Sequence, residues 1–154
     1  MTSALTQLYQ EVILDHNKHP RNFYLMQNAT TNAEGFNPIC GDKINIFLQI
    51  KDDVINKVSF QGCGCAISQA SASLMTDMLE GKSIEDAENL FNAFHGMMVE
   101  NGPVAPLGKL AVLANVRRYP ARVKCATLAW HTFEAALHKS KATVSTEGET
   151  DATF

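Results

Sequence analysis

Two cysteines separated by a single glycine constrain the fold of this chain more than any other feature. They lie in residues 62–68, whose sequence is GCGCAIS. A strand-like run over residues 57–61 precedes them and a helix-like run, Ala66 to Leu79, follows. We therefore predict a tight strand-to-helix turn, for which glycine supplies the backbone conformation and leaves room for another group to approach. Cys65 then falls at the start of the helix, where free N–H groups and the helix dipole favour a thiolate.

Length and composition indicate one globular domain and exclude several classes of function. The chain has 154 residues, of which 45% are hydrophobic and 19% charged, as is usual for one soluble domain. The formal net charge is −3 and there is no long basic run, so we expect no nucleic-acid partner. No secretory leader and no membrane-spanning run is visible, so we expect a cytoplasmic protein. In that reducing compartment, four cysteines indicate metal or sulfur chemistry rather than disulfides.

The first half of the chain reads as one helix followed by strands. Apolar side chains recur at helical spacing between residues 5 and 17. Residues 28–34 form a weak candidate for an edge strand, and residues 44–50 show the clearest alternation of apolar and more polar side chains. Residues 54–61 read as the returning strand of a hairpin.

The second half reads as helical. Residues 66–79 are nearly apolar and rich in serine and alanine, so we expect a closely packed, buried helix. Ser83 begins a second helix through a capping-box pattern. A short helix over residues 107–116 and a last helix that begins near Cys125 complete the predicted elements.

The predicted domain spans residues 1–139, and residues 140–154 are predicted to be a disordered tail. The tail has almost no large apolar side chain with which to join a core. Three histidines, His95, His131 and His138, fall in predicted helices, and we assign them structural roles.

Three cysteines and an aspartate are expected to meet. Cys40, Cys65 and Cys125 all lie near predicted ends of elements, where side chains can converge beyond a sheet edge. Asp42 follows Cys40 by two residues. Three thiolates and a carboxylate suit a tetrahedral zinc site, and the same sulfur set suits an iron–sulfur cluster. The residues alone leave both possibilities open.

Several segments resemble the signatures of one protein family. They are residues 37–42 (NPICGD), 62–68 (GCGCAIS) and 125–130 (CATLAW), together with the opening residues 8–16 (LYQEVILDH). The chain is similar to the NifU N-terminal/IscU family of iron–sulfur cluster assembly scaffolds from residue 5 to about residue 138. With the predicted elements, this resemblance implies an α+β, SufE/NifU-like fold: a small, mostly antiparallel sheet with helices packed on one side and the metal site at one end.

The subtype resembles SufU more than IscU. The segment between Cys65 and Cys125 is longer than in IscU, and Lys124 stands where IscU proteins have a histidine. Residues 119–124 replace the Leu-Pro-Pro-Val-Lys chaperone-recognition segment of IscU. The SufU resemblance implies a zinc ion held by Cys40, Asp42, Cys65 and Cys125.

Cys63 keeps two mechanisms open, because IscU proteins use the cysteine at its position and SufU proteins use the one at Cys65. In the first mechanism, an iron–sulfur cluster is assembled on Cys40, Cys125 and Cys63 or Cys65, and is then transferred to apo-proteins. In the second, the protein is a zinc-bound acceptor of persulfide sulfur from a SufS-like cysteine desulfurase of the SUF system. It is then at most a zinc-dependent sulfurtransferase that supplies other Suf components. Cys125 and Cys65 are the candidate acceptors, and the SufU-like features favour this second mechanism.

A third interpretation is a structural zinc domain that takes no part in sulfur transfer. The spare thiol beside the expected ligands disfavours it. The basic residues Arg122 and Lys124 lie close to Cys125 in sequence. They make this face suitable for docking of the desulfurase.

Overall fold

The computed structural model describes residues 3–138 and 144–145 of the chain. The helices are α1 (Ser3–Lys18), α2 (Ala66–Leu79), α3 (Ile84–Glu100) and α4 (Pro120–Leu137), and the strands are β1 (Thr31–Asn37), β2 (Asp42–Lys51), β3 (Val54–Cys63) and β4 (Val144–Ser145). The predicted tail over residues 140–154 lies outside the described residues except for β4. None of the described helices is long and apolar enough to cross a membrane.

The sheet is mostly antiparallel, as predicted, with the strand order β3-β2-β1-β4. β2 pairs in antiparallel register with β3 and with β1, and only the two-residue β4 runs parallel to its neighbour β1. The predicted hairpin turns at Asp52 and Asp53, whose φ angles of 54° and 60° are ones that aspartate tolerates. The strand predicted over residues 28–34 begins at Thr31 instead and continues to Asn37.

One face of the sheet carries the core. On β2, Ile44, Ile46 and Leu48 are at most 3% exposed, whereas Lys43 on the other face is exposed. α4 packs across β1 and β2, and α2 packs on β3 and on α4. The alternation seen in the sequence therefore has its expected cause, a sheet covered by helices on one side.

α2 approaches α4 closely because its facing side chains are small, as the sequence predicts. The Ser71 hydroxyl donates to the Ala126 carbonyl at 2.6 Å and accepts from Trp130 Nε1 at 3.2 Å. This buried hydroxyl is therefore fully paired. The packing holds the first residues of α2, next to Cys65, against the turn of α4 that carries Cys125.

The segment before the last helix is helical, as predicted, but its type and length differ. The short helix predicted over residues 107–116 is a 3-10 helix, Ala105–Arg118, with non-helical backbone at Gly108, whose φ is +55°. The last helix begins at Pro120 rather than near Cys125. Proline is favoured in a first helical turn, because the N–H that it lacks would have no partner there. Cys125 therefore lies in the second turn of α4.

Candidate metal centre

Four segments meet at one end of the sheet and bring the predicted zinc ligands together. Cys40 lies in the β1–β2 turn, Asp42 begins β2, Cys65 caps α2 and Cys125 lies in α4. The ligand atoms of Cys40, Asp42 and Cys125 all lie within 4.8 Å of one another. The Sγ atoms of Cys40 and Cys125 are 3.3 Å apart, and Cys65 Sγ lies 3.9 Å from Asp42 Oδ2.

Cys65 occupies the N-cap of α2, where its Sγ accepts a hydrogen bond from the Ser68 N–H at 3.4 Å. A hydrogen bond from the Cys125 thiol, assisted by the Ser68 N–H, lowers the pKa of Cys65 to about 6. The pKa of Cys125 is raised, because its proton is held by Cys65 and its side chain is buried. Of the two thiols, Cys65 is therefore the one that ionises more readily.

Asp42 is fully buried, and its two carboxylate oxygens have different surroundings. Oδ1 accepts a hydrogen bond from the Cys65 N–H at 2.8 Å, which orients the start of α2. Oδ2 lies near Cys65 Sγ, at 3.9 Å. Because a buried carboxylate beside thiols is costly unless its charge is compensated, the arrangement favours a cation between these groups.

The two glycines of the turn are needed for steric reasons. A Cβ atom at Gly64 would lie 2.6 Å from Asp42 Oδ1, so only glycine lets the carboxylate reach the Cys65 N–H. Gly62 has a φ of +147°, and a Cβ atom there would collide with the Lys43 carbonyl oxygen on β2. The close approach that the sequence predicts at this turn is therefore made by Asp42 and by the neighbouring strand.

Asn37 is a site residue to which the sequence analysis gave no role. Its buried side chain points Nδ2 at Cys125 Sγ, 3.8 Å away, and its Oδ1 accepts from the Ile39 N–H at 3.2 Å. The second contact is an Asx turn, which shapes the loop that carries Cys40. The Asn-Pro pair at residues 37–38 is the sequence signal that could have identified this turn.

Cys63 and Arg122 lie around the centre. Cys63 is exposed at the end of β3, opposite Lys43. Neither Cys63 nor Cys65 is in the group whose ligand atoms lie within 4.8 Å of one another, but Cys65 contacts Asp42 directly. Arg122 lies in the first turn of α4, and the negative charge of Cys65 raises the pKa of the Arg122 guanidinium. The centre therefore has an exposed extra thiol and a cation beside its thiolate.

The distances test whether these donors fit zinc. With Zn–S bonds of about 2.3 Å, a tetrahedral ion holds neighbouring sulfur donors about 3.8 Å apart. The Sγ atoms of Cys40 and Cys125 are 3.3 Å apart, about 0.5 Å closer than this separation. Cys65 Sγ lies 3.9 Å from Asp42 Oδ2, where zinc would hold a sulfur and an oxygen donor about 3.6 Å apart. Three thiols and a carboxylate also form a donor set that zinc accepts. The fold and the site thus define a class: a small α+β domain with a thiol-rich metal centre at one end of its sheet.

The chain belongs to the NifU-like N terminal domain family, whose sequence profile it matches over residues 8–145. This is a family of iron–sulfur cluster assembly scaffolds, and the resemblance of the sequence motifs to it is confirmed.

Relatives of two kinds are similar to nearly the whole chain. The zinc-dependent sulfurtransferase SufU of Bacillus subtilis (strain 168) is 39% identical over 139 residues, which cover 89% of this chain and 94% of that protein. The iron–sulfur cluster assembly scaffold protein IscU of Streptococcus pyogenes serotype M1 is 39% identical over 140 residues, covering 90% and 87%. FiSufU from Fervidobacterium islandicum AW-1, described as a candidate cluster assembly scaffold for the SUF system, superposes with a TM-score of 0.79 at 36% identity, covering 82% of this chain and 94% of that structure. The predicted α+β fold is confirmed.

Proposed function

We propose that this protein serves iron–sulfur cluster biogenesis as a zinc-bound acceptor of persulfide sulfur. The observation that carries the proposal is the convergence of three cysteines on a buried carboxylate, with Cys65 at a helix N-cap where a thiolate is stabilised. The similarity to SufU, which is named a zinc-dependent sulfurtransferase, supports the choice of metal. Four free thiols suit the reducing cytoplasm.

The zinc ligands that we propose are Cys40, Asp42, Cys65 and Cys125. Bound zinc would keep the coordinating thiols ionised and therefore nucleophilic. The chain itself supplies the geometry: Asn37 shapes the loop of Cys40, and Asp42 orients the start of α2 through the Cys65 N–H.

Cys65 is the better placed of the two candidate sulfur acceptors, because Cys125 is fully buried whereas Cys65 is half-buried. Its thiolate attacks the terminal sulfur of a persulfide on the donor enzyme. One S–S bond forms on Cys65 as the donor's S–S bond breaks, and the donor's cysteine leaves as a thiolate, so no oxidant or reductant is needed. Exposed Cys63, one glycine away, is placed to take the position that Cys65 vacates.

The partner that we propose is a SufS-like cysteine desulfurase that docks on the thiol-bearing face. Persulfide sulfur is too reactive to be released into solvent, so donor and acceptor must be in contact. Ile39 beside Cys40 is 61% exposed and Tyr119 at the start of α4 is 56% exposed, which gives this face apolar contact area. Arg122 adds a positive charge. The sulfur then passes to other Suf components or to apo iron–sulfur proteins.

A second candidate function is that of a scaffold, and Cys63 is the observation that favours it. An exposed fourth thiol gives the site more sulfur ligands than one zinc ion with an aspartate ligand requires. A cluster could then be assembled on Cys40, Cys125 and Cys63 or Cys65 and transferred to apo-proteins. The similarity to IscU of S. pyogenes, named a scaffold, is as high as that to SufU.

Metal analysis and persulfide mapping test the proposal on a matched pair of variants, Cys65→Ser and Cys63→Ser. After incubation with desulfurase and cysteine, we expect mass spectrometry to find the added sulfur on Cys65. Cys63→Ser should keep one zinc ion and accept sulfur. Cys65→Ser should lose both properties unless Cys63 moves into the vacated position, and the double variant should lose the metal outright. The opposite pattern would assign the standing ligand to Cys63 and contradict the proposal.

A further inference from the structure

A groove runs between α1 and the 3-10 helix Ala105–Arg118, outside the thiol centre. Its volume is about 910 Å³, near the upper limit for sites that bind small molecules. None of the proposed zinc ligands lines it. Its walls and floor carry apolar side chains, which include Leu8 and Val12 of α1, Leu74 of α2, and Val104 and Val112 of the opposite wall. Leu8 is 50% exposed, so the described part of the chain leaves an apolar surface open here.

The two walls of the groove run in opposite directions. Near one end His16 is buried, and burial and the charge of Arg21 lower its pKa, an effect to which the charge of Lys109 adds. Near the other end burial raises the pKa of Tyr9, and the neighbouring Tyr119 adds to the rise. The end of α1 therefore faces the start of the 3-10 helix, and the start of α1 faces its end.

The groove carries positive charge at both of its ends. Arg21 and Lys109 line one end, and Arg117 and Arg118 line the other. No aspartate or glutamate of the described residues lines the groove, although the whole chain has a net charge of −3. Lys109 and Arg118 are nine residues apart, which corresponds to about 18 Å along a 3-10 helix. The groove is thus a long apolar surface between two basic ends.

The positive charge is only partly compensated within the chain. Arg21 pairs with Asp15 at 2.7 Å and Lys109 pairs with Asp77 at 3.2 Å. Both pairs lie at the surface, where solvent screens them and an ion pair contributes little. Arg118 is exposed, and no carboxylate of the described ranges is ion-paired with it. An anionic partner therefore meets attractive charge at each end.

The separation of the two basic ends indicates the chemical class of the occupant. A small amphiphile with a single carboxylate or phosphate group reaches only one of them. An α-helix of about 12 residues spans about 18 Å, and can therefore place carboxylates at both ends. Helices dock into apolar grooves through side chains at positions i, i+3 or i+4, and i+7 of one face. The charge and the length of the groove both match such a helix.

We propose that this groove binds an acidic amphipathic helix of a partner protein. The apolar side chains of that helix lie between the two walls, and its carboxylates meet Arg21 and Lys109 at one end and Arg118 at the other. Arg118 directly precedes Tyr119 of the thiol-bearing face, so a partner held in the groove lies beside that face. Because no proposed zinc ligand lines the groove, the proposal does not depend on the sulfur chemistry of the cysteines.

Selection from a display library of helical peptides, on the full zinc-loaded chain, tests the groove. Leucine is fixed along one face of the peptides, and the residues at both ends vary among glutamate, glutamine and lysine. We expect glutamate to be enriched at both ends. Arg118→Glu should change the preference at one end of the peptide to lysine, and Lys109→Glu should do so at the other end. Both positions are exposed, so both variants should fold normally, which circular dichroism verifies.

The affinity of a selected acidic peptide is then measured by fluorescence anisotropy. Arg118→Glu should weaken its binding about tenfold, because charge reversal replaces an attraction by a repulsion. Added salt should weaken the binding to the wild-type chain, because it screens the ion pairs. The matched control is Lys57→Glu, which makes the same charge reversal at an exposed position of β3 outside the groove. It should bind the peptide like the wild-type chain.

Three results would overturn the proposal. The first is a selection that enriches no peptides, or enriches them with the same preference on the wild-type chain and on Arg118→Glu. The second is saturable binding of dodecanoate without any enrichment of peptides, which would assign the groove to a small amphiphile. The third is a dimer in analytical ultracentrifugation that Arg118→Glu dissociates, which would assign the groove to a second copy of this chain.

Discussion

Gly64→Ala tests the close packing at the thiol centre without changing any of the proposed zinc ligands. Gly64 is not among the glycines with positive φ, so alanine fits its backbone conformation. The added Cβ atom, however, would lie 2.6 Å from Asp42 Oδ1 and 3.1 Å from Asp42 Cβ and Cγ. Asp42 is fully buried and bonded to the Cys65 N–H, so it cannot move aside freely.

The magnitude follows from the two ways in which the contact can be relieved. If the carboxylate stays, the turn is overpacked, which costs about 1–3 kcal/mol. If it turns away, the hydrogen bond from the Cys65 N–H to a charged acceptor is lost, which costs about 1.5–3 kcal/mol. Either way we expect the free energy of unfolding to fall by about 2 kcal/mol, a shift in Tm of about 4–8 °C for a chain of this length. If Asp42 ligates zinc, the zinc affinity should also fall by about tenfold or more, since tenfold corresponds to about 1.4 kcal/mol.

Thermal and urea unfolding of the zinc-free protein measure the first effect, and competition with a chelator measures the second. Gly96→Ala is the matched control, because a Cβ atom there has only Glu100 Oε1 nearby, at 3.9 Å. Alanine in the interior of α3 should leave zinc binding unchanged and stabilise the chain by up to about 1 kcal/mol. Gly64→Ala protein with wild-type stability and wild-type zinc affinity would refute the close packing of Asp42 on this turn.

Three further predictions concern the centre, its partner and the first helix. Asp42→Ala should weaken zinc binding, seen by equilibrium dialysis, and lengthen the lifetime of a reconstituted cluster, seen by the decay of its visible absorbance; no change in either would remove Asp42 from the ligand set. Desulfurase turnover should rise when this protein is added and rise less with Arg122→Gln, and an unchanged turnover would argue against direct docking. His16 is buried against Ser73 Oγ at 2.6 Å, and burial lowers the pKa of His16 from its usual 6.5. The unfolded chain therefore binds this proton more readily, so stability should be lost as pH falls below about 6.5, and denaturant unfolding of His16→Gln should show a smaller loss.

The elements that the sequence predicts well are those whose pattern has one local cause. Alternation over residues 44–50 reflects one buried sheet face, and the small residues of α2 reflect close packing on α4. The start of the last helix is predicted too late, because a pair such as Tyr119-Pro120 is also typical of a break between elements. Proline also begins helices, and only the packing of the helix decides between these two roles.

The candidate site likewise contains residues that the sequence identifies and a residue that it does not. The cysteine motifs identify the thiol centre, but the role of Asn37 depends on the position of Cys125, which lies 88 residues later in the chain.

X-ray absorption spectroscopy at the zinc edge, on protein loaded with one equivalent of zinc, tests the central claim most directly. The account predicts three sulfur ligands at about 2.3 Å and one oxygen ligand at about 2.0–2.2 Å. Cys63→Ser should give the same spectrum, and Asp42→Ala should change the oxygen shell. Four sulfur ligands in the wild-type protein, with one sulfur lost in Cys63→Ser, would show that Cys63 rather than Asp42 completes the site and would contradict the account.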